Sequence, residues 1–234
     1  MNTDKWDIMT VSEVADYLRL AERTVLRLAH RNEIPCFKIA SQWRFKKDLI
    51  DEWIMMKIQD MPSADLTQLV SLDKDTMLLT KLITRNAFII EVRPGTKVEV
   101  LEQLVKPLAE AGIVYDAGGF QKKLMHREKM VTTAVGHGVA FPHLRKAREN
   151  PPGGPYLVLG TCPEGTDFGA LDGEKTHLFA LICADNEILH LRLMARLALL
   201  LRADGSINAI VEAGSKDDIR EIFEDYEGHP YSEE

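Results

Sequence analysis

The residues whose types and spacing best suit chemistry are Gly136-His-Gly-Val-Ala-Phe-Pro-His143. A histidine displayed at the end of a strand is a nucleophile, and its ring nitrogen can accept a phosphoryl group. Glycines let the backbone come close to an anion. Pro142 biases Phe141 toward an extended conformation just ahead of His143. Phosphoryl transfer needs positioning, with positive or hydrogen-bonding groups around the equatorial oxygens, more than covalent help. Two residues answer that need. His190 opens the helical stretch Leu189 to Leu201, where amides and dipole favour an anion, and Arg127 supplies a cation. The pattern alone leaves a second reading open, because a lone histidine also serves as a hydrogen-bonded structural residue. Gly136-x-Gly138 is not a nucleotide motif, since neither GxGxxG nor P-loop spacing follows it. His137 between the glycines reads as an exposed turn position.

A second chemistry, polyanion recognition, is written into residues 19–47. Arg19, Arg23, Arg27, Arg31, Lys38, Arg44, Lys46 and Lys47 face only two acidic residues there, a local charge of +6. Arg23, Arg27 and Arg31 sit four apart, so a short helix over about 22–30 carries a basic stripe. A helix fits the major groove of DNA. The stripe, with Lys38 and Arg44, would neutralise phosphates and make binding salt-dependent. The plainer alternative is a solvated face.

The elements that position these residues divide in two. Thr10-Val-Ser-Glu13 is a capping box, and Val11, Val14, Ala15 and Leu18 follow on one helical face. Val25, Leu26 and Ala29 are the inward side of the second helix. Residues 35–40 and 42–45 alternate as strands, with Ser41 near the turn, and Asp48 starts a third helix. Helix, turn, basic helix, two-stranded wing and helix make a small winged helix-turn-helix, with Trp43 and Trp53 in its core. Asp60-Met-Pro-Ser-Ala-Asp65 reads as linker. Beyond it, strands are expected at 87–92, 132–135, 139–141, 156–160 and 177–183. Helices are expected at 97–111, 119–130, 189–201 and 216–223, the last capped by Ser215. Interspersed strands and helices argue an α/β domain, a mixed sheet with helices on both faces. The expected boundaries are 1–57 for the first domain, 58–75 for the linker and 76–228 for the second domain.

Composition sets the outer limits. The chain has 234 residues and a formal net charge of −7, with 45% hydrophobic and 28% charged residues. That excludes intrinsic disorder, a collagen-like chain and a small disulfide scaffold. Residues 1–60 are neutral, ten basic against ten acidic, so the remainder carries the whole −7. A general polyanion binder is therefore excluded, but not DNA binding by one part. Cys36, Cys162 and Cys183 are odd in number and far apart, and no Cys/His cluster has metal-ligand spacing. Reduced thiols in a cytoplasm are expected, with no metal and no cofactor. No apolar run approaches the roughly 20 residues of a spanning helix, so no membrane insertion is expected.

Two resemblances sharpen these readings. Met9-Thr-Val-Ser-Glu-Val-Ala-Asp-Tyr-Leu18, Arg23-Thr-Val25, Ile34-Pro-Cys-Phe-Lys-Ile39 and Trp43-Arg-Phe-Lys-Lys-Asp-Leu49 resemble, in order, the excisionase-type DNA-binding domain related to the MerR winged helix. The chain departs from that family at Ala21, where a polar cap is usual, and at Ala40-Ser41, where a glycine-rich turn is common. The DNA-contacting set implied is Arg23, Thr24, Arg27, Arg31, Lys38 and Arg44. A homodimer reading two half-sites would be the usual remedy for weak binding by so small a domain.

Arg127-Glu128, Thr133, Gly136-His-Gly-Val-Ala-Phe-Pro-His143 and His190-Leu-Arg-Leu-Met-Ala-Arg-Leu197 resemble enzyme IIA domains of the bacterial phosphotransferase system. The class is the fructose/mannitol type, which includes the nitrogen-regulatory IIA proteins. The resemblance implies that His143 takes a phosphoryl group from the phosphocarrier HPr or its nitrogen-branch counterpart. It implies that His190 hydrogen-bonds the phosphoryl oxygens and that Arg127 neutralises charge. Arg145 is retained in the family manner, whereas Leu144 stands where a small residue is common and would narrow a partner's approach. The function expected is a cytoplasmic, nitrogen-regulatory-like regulator that is phosphorylated on His143 and binds DNA through its first domain. The alternatives are a IIA phosphocarrier passing phosphate to a separate IIB protein, and a DNA-binding protein with an inactive IIA fold.

Overall fold

The computed structural model describes residues 8–47, 49, 50, 53, 54, 79–144 and 149–228. The linker, the helix start at Asp48 and Arg145 lie outside the described residues. The chain splits into two compact units, Met1–Leu72 and Asp73–Glu234.

The first unit is the winged helix-turn-helix. Thr10 and Glu13 form the expected box: the Glu13 amide donates to Thr10 Oγ1 at 3.3 Å, and the Thr10 amide donates to Glu13 Oε2 at 2.7 Å. Those Thr10 donors hold the Glu13 carboxyl below its ordinary range. Helix α1 (Val11–Leu18) then buries Val14, Ala15 and Leu18. Helix α2 (Glu22–His30) starts at Ala21 without a side-chain cap and buries Val25 and Ala29. Strands β2 (Phe37–Ile39) and β3 (Gln42–Lys46) form the wing. A strand the sequence did not announce, β1 (Ile8–Met9), pairs with the other side of β3, so the sheet order is β1-β3-β2. Alternation aims Phe45 into the core, where it is fully buried. Trp43 and Trp53, expected there, are only half-buried.

The second unit opens with α3 (Leu79–Asn86), which sequence periodicity did not reveal, followed by β4 (Ala87–Glu91). Thr96 and Glu99 make a second capping box at the start of α4 (Lys97–Glu110). Asp116 caps α5 (Ala117–Met130), accepting from the Gly119 amide at 2.8 Å. After it come β5 (Ala134–Gly136), β6 (Val139–Ala140), β7 (Tyr156–Thr166) and β8 (Thr176–Cys183). The last described elements are α6 (Glu187–Arg202), an unforeseen α7 (Ser206–Glu212) and α8 (Lys216–Gly228).

The strand order is β4-β7-β8-β6-β5. β4 and β7 pair in parallel, β7 and β8 antiparallel, β6 and β8 in parallel, and β5 and β6 antiparallel, which makes a mixed sheet. Val158, Cys162, Phe179, Leu181 and Cys183 form one layer with α4 and α5. The alternate residues Leu157, Leu159, Leu178, Ala180 and Ile182 are equally buried. They therefore need cover on the opposite face, which α3, α6 and α7 supply. Gly160 lets α4 approach closely, since a Cβ there would lie 2.6 Å from Val92 and 2.9 Å from Leu104. Glu227 of α8 accepts from the amides of Leu79 at 2.6 Å and Thr80 at 3.1 Å, and pairs with Arg196 of α6 at 3.5 Å. No helix among the described residues is long and apolar enough to cross a membrane.

Candidate functional site

The short strand β6 delivers His143. The Phe141 amide donates to the Thr133 carbonyl at 3.0 Å, extending the β5–β6 pairing past the strand end. Pro142 follows, and His143 comes to rest 5% exposed. Its Nδ1 lies 2.8 Å from the Phe141 carbonyl oxygen. A carbonyl only accepts, so Nδ1 carries the hydrogen and, in the neutral ring, Nε2 carries the lone pair. Helix α6 brings His190 from the other side. Asn186 caps that helix by accepting from the Leu189 amide at 3.0 Å, which places His190 in its first turn. The two imidazole rings meet with centroids 5.2 Å apart and planes inclined by 44°. The site thus joins a strand-end imidazole, a second imidazole and a helix N-terminus, whose dipole favours an anion.

Arg127 stands in the last turn of α5, 3% exposed, and its guanidinium donates to the Val131 carbonyl at 2.8 Å. The backbone at the α5–β5 junction thus holds this cation in place. Beside it on α5 is a residue that sequence reasoning gave no role. Glu128 is 4% exposed. Its Oε1 accepts from Lys97 Nζ at 2.7 Å and Thr132 Oγ1 at 2.9 Å. Its Oε2 accepts from the Thr133 amide at 2.9 Å and the Thr133 hydroxyl at 2.6 Å. Lys97 also lies 5.1 Å from the Phe168 ring centroid. The available signal was Arg127-Glu128 at a helix end with Thr132 and Thr133 just after it. The matching cation lies at the start of α4, out of reach of any local pattern.

The glycines do something other than cradle an anion. Gly136, His137 and Gly138 all have positive φ, at 95°, 51° and 76°, and form the β5–β6 turn at the opposite end of β6 from His143. Asp172 fills the turn, accepting from the His137 amide at 2.8 Å. A Cβ on Gly136 would lie 2.7 Å from that carboxylate. His137 is exposed, as expected. Leu144 does not narrow a partner's approach, because it is 4% exposed and belongs to the core layer under α4 and α5. Among the described residues no His/Cys/Asp/Glu cluster suits a metal ion.

In the first unit Arg23 and Arg27 lie exposed on α2, and Arg31 is its C-cap, 3.9 Å from Glu33. Thr24 is half-buried on the same helix. The wing separates its two candidates. Lys38 pairs with Trp43, and Phe37 with Arg44. Directly opposed residues share a face, so Lys38 and Arg44 lie on opposite faces of the hairpin. Lys38 Nζ sits 4.3 Å from the Trp43 ring centroid, and that ring meets His30, the last residue of α2, edge-on at 5.5 Å. Lys38 therefore continues from the end of α2. Arg44 faces away, its guanidinium held by the Trp43 carbonyl at 2.8 Å and Gln42 Oε1 at 2.7 Å.

The model for the phosphoenolpyruvate-dependent sugar phosphotransferase system EIIA 2 family matches residues 81–226. The chain belongs to this EIIA 2 family. A helix-turn-helix domain model matches residues 8–57, so the EIIA 2 domain follows a DNA-binding module in one chain. The chain is similar to the PTS system fructose-specific EIIABC component of Bacillus subtilis, 28% identical over 64% of this chain but only 24% of that protein. It is also similar to the mannitol-specific phosphotransferase enzyme IIA component of Staphylococcus aureus, 29% identical over 63% of this chain and 98% of that one. The nitrogen regulatory protein IIA-Ntr of Neisseria meningitidis shares the fold, with a TM-score of 0.52 at 20% identity over 62% of this chain and 98% of that one.

Proposed function

We propose that this EIIA 2 chain is a cytoplasmic regulator that accepts a phosphoryl group on His143 and binds DNA through its first unit. The observation that carries the reading is the His143 ring, tied by Nδ1 to the Phe141 carbonyl and set beside His190 at the start of a helix. In the reaction Nε2 of His143 attacks the phosphorus of a phosphohistidine on an HPr-type carrier. The Nε2–P bond forms as the donor's N–P bond breaks, and the donor nitrogen keeps that electron pair. The hydrogen stays on Nδ1, donated to the Phe141 carbonyl, so the phosphorylated ring is an imidazolium and no proton need leave it during the transfer. The His190 ring supplies a hydrogen bond to the equatorial oxygens, the dipole of α6 favours their charge, and Arg127 balances it.

On the DNA side Arg23, Thr24, Arg27, Arg31 and Lys38 form the leading contact set, and Arg44 serves the other face of the wing. A phosphoryl group adds nearly two negative charges at neutral pH, as for phosphorylated hydroxyls, enough to alter DNA occupancy or association between copies. A nitrogen-regulatory role fits a IIA domain joined to a DNA-binding module. The similarity to fructose and mannitol components favours a second reading, in which His143 passes its phosphoryl group on to a separate IIB protein.

The test is phosphorylation of the purified chain with phosphoenolpyruvate, enzyme I and both HPr types. Acid-labile label present in the wild type and absent from His143→Ala supports the acceptor role. Onward transfer to a IIB protein would select the second reading. No label, with known IIA controls working, would leave a DNA-binding protein with an inactive IIA fold. For the regulatory role, DNA footprints that do not differ between phosphorylated and unphosphorylated chain would count against it.

A further inference from the structure

We propose that Lys97, Glu128 and Thr133 are positioning residues that fix which ring nitrogen of His143 is the nucleophile; this rests on the acceptor reading above. A buried ion pair is weak evidence for stability, because apolar residues of equal volume often serve as well. What Lys97 and Glu128 supply here is direction. Each Glu128 oxygen accepts two donors, Lys97 and Thr132 on one, the amide and hydroxyl of Thr133 on the other. The carboxylate is thus fully occupied by protein groups, and Lys97 balances its charge.

Thr133 is gripped at both its amide and its side chain, so its carbonyl has one orientation. That carbonyl accepts the Phe141 amide at 3.0 Å. The next carbonyl along, that of Phe141, accepts Nδ1–H of His143 at 2.8 Å. The sequence of contacts therefore runs from Lys97 through Glu128, Thr133 and Phe141 to the imidazole. If Thr133 turns, the Phe141 peptide loses its anchor, and the ring can move its hydrogen to Nε2, the nitrogen that must stay unprotonated to attack. Misplacement of a reacting group by about 1 Å can cost on the order of a hundredfold in rate. Loss of this relay therefore shows in the tautomer as well as in the rate.

The test uses the full chain labelled with 15N-histidine, with His143→Ala identifying the His143 signals. Long-range proton–nitrogen spectra report the tautomer, and labelling with phosphoenolpyruvate, enzyme I and HPr reports uptake. The wild type is expected to show one neutral tautomer, hydrogen on Nδ1. Glu128→Gln and Thr133→Val are expected to give mixed tautomers and uptake about ten- to a hundredfold slower. Thr133→Ser, which keeps the hydroxyl, is expected to rescue both. If Glu128→Gln fails to fold, Lys97→Met against its conservative rescue Lys97→Arg decides in the same way. A wild-type ring with hydrogen on Nε2 overturns the proposal, as do folded variants that keep both tautomer and rate. A wild type that takes up no phosphoryl group while its variants change tautomer upholds the relay and removes only the acceptor reading.

Discussion

His143 and His190 reach one another from different elements, one from the end of a two-residue strand and one from the first turn of a helix, and meet with ring centroids 5.2 Å apart. The pair sets a ring tied through Nδ1 to the Phe141 carbonyl beside a second imidazole.

The first prediction concerns the second ring. His190→Ala is expected to slow phosphoryl uptake by about a hundredfold, the usual loss when one preorganised donor is removed. The residue is partly exposed but both ring nitrogens are buried, so a structural contribution would show as a lowered unfolding midpoint. Rapid-quench labelling beside urea unfolding separates the two effects. A wild-type uptake rate would remove His190 from the chemistry.

The DNA interface is readable through salt. Each phosphate contact contributes a slope of about 0.9 in the dependence of log affinity on log salt. Arg23→Ala, Arg27→Ala and Lys38→Ala should each lower the slope by about that amount. Arg44→Ala, on the far face of the wing and tied to Trp43 and Gln42, should leave it nearly unchanged. The reverse ranking would place the duplex on the other side of the hairpin.

The wing turn stores strain. Ala40 and Ser41 have φ of 48° and 63°, the left-handed region that favours Asn-Gly in a two-residue hairpin. Non-glycine residues there cost about 1 kcal/mol each. Replacing Ala40-Ser41 with Asn-Gly should stabilise the first unit by about 1 kcal/mol. Trp6, Trp43 and Trp53 all lie in that unit, so tryptophan fluorescence follows its unfolding alone. An unmoved urea midpoint would mean the turn is not strained.

Asp172 ties the β5–β6 turn to pH. The His137 amide and then the Glu174 amide hold its carboxyl below the ordinary value of 3.8. Its contribution is therefore complete above 3.8 and is lost as pH falls through the lower folded value. The Asp172 carboxyl carbon resonance should stay flat from pH 8 to about 4 and move only below that, and Asp172→Asn should remove that titration. A midpoint at or above the ordinary aspartate value would contradict the bond.

Local features were legible in the chain and distant ones were not. The Thr10/Glu13 box, the bounds of α2 and the Ser215 cap depend on residues three or so apart, and sequence shows those directly. His143 and His190 were legible as types at the ends of elements, but their meeting depends on a strand order that no local rule supplies. Glu128 was passed over because its main partner, Lys97, lies 31 residues away. β1 is too short to show alternation and α7 to show a clear helical period, whereas α3, as long as α1, is not announced by a capping box like that of Thr10 and Glu13. The faces of Lys38 and Arg44 required the register, since one residue of slip exchanges them.

The Glu227 carboxylate that receives the amides of Leu79 and Thr80 has a practical consequence for anyone cutting the chain. The family match runs from 81 to 226 and stops just inside this clasp at both ends. A fragment trimmed to the match would lose the first-turn amides of α3 together with the side chain that answers them, and Arg196 would lose its carboxylate. A fragment spanning 79–228 keeps both ends fastened to each other. Its two ends also lie side by side, so they can be joined by a short linker to give a circularly permuted domain, opened at a surface loop far from His143.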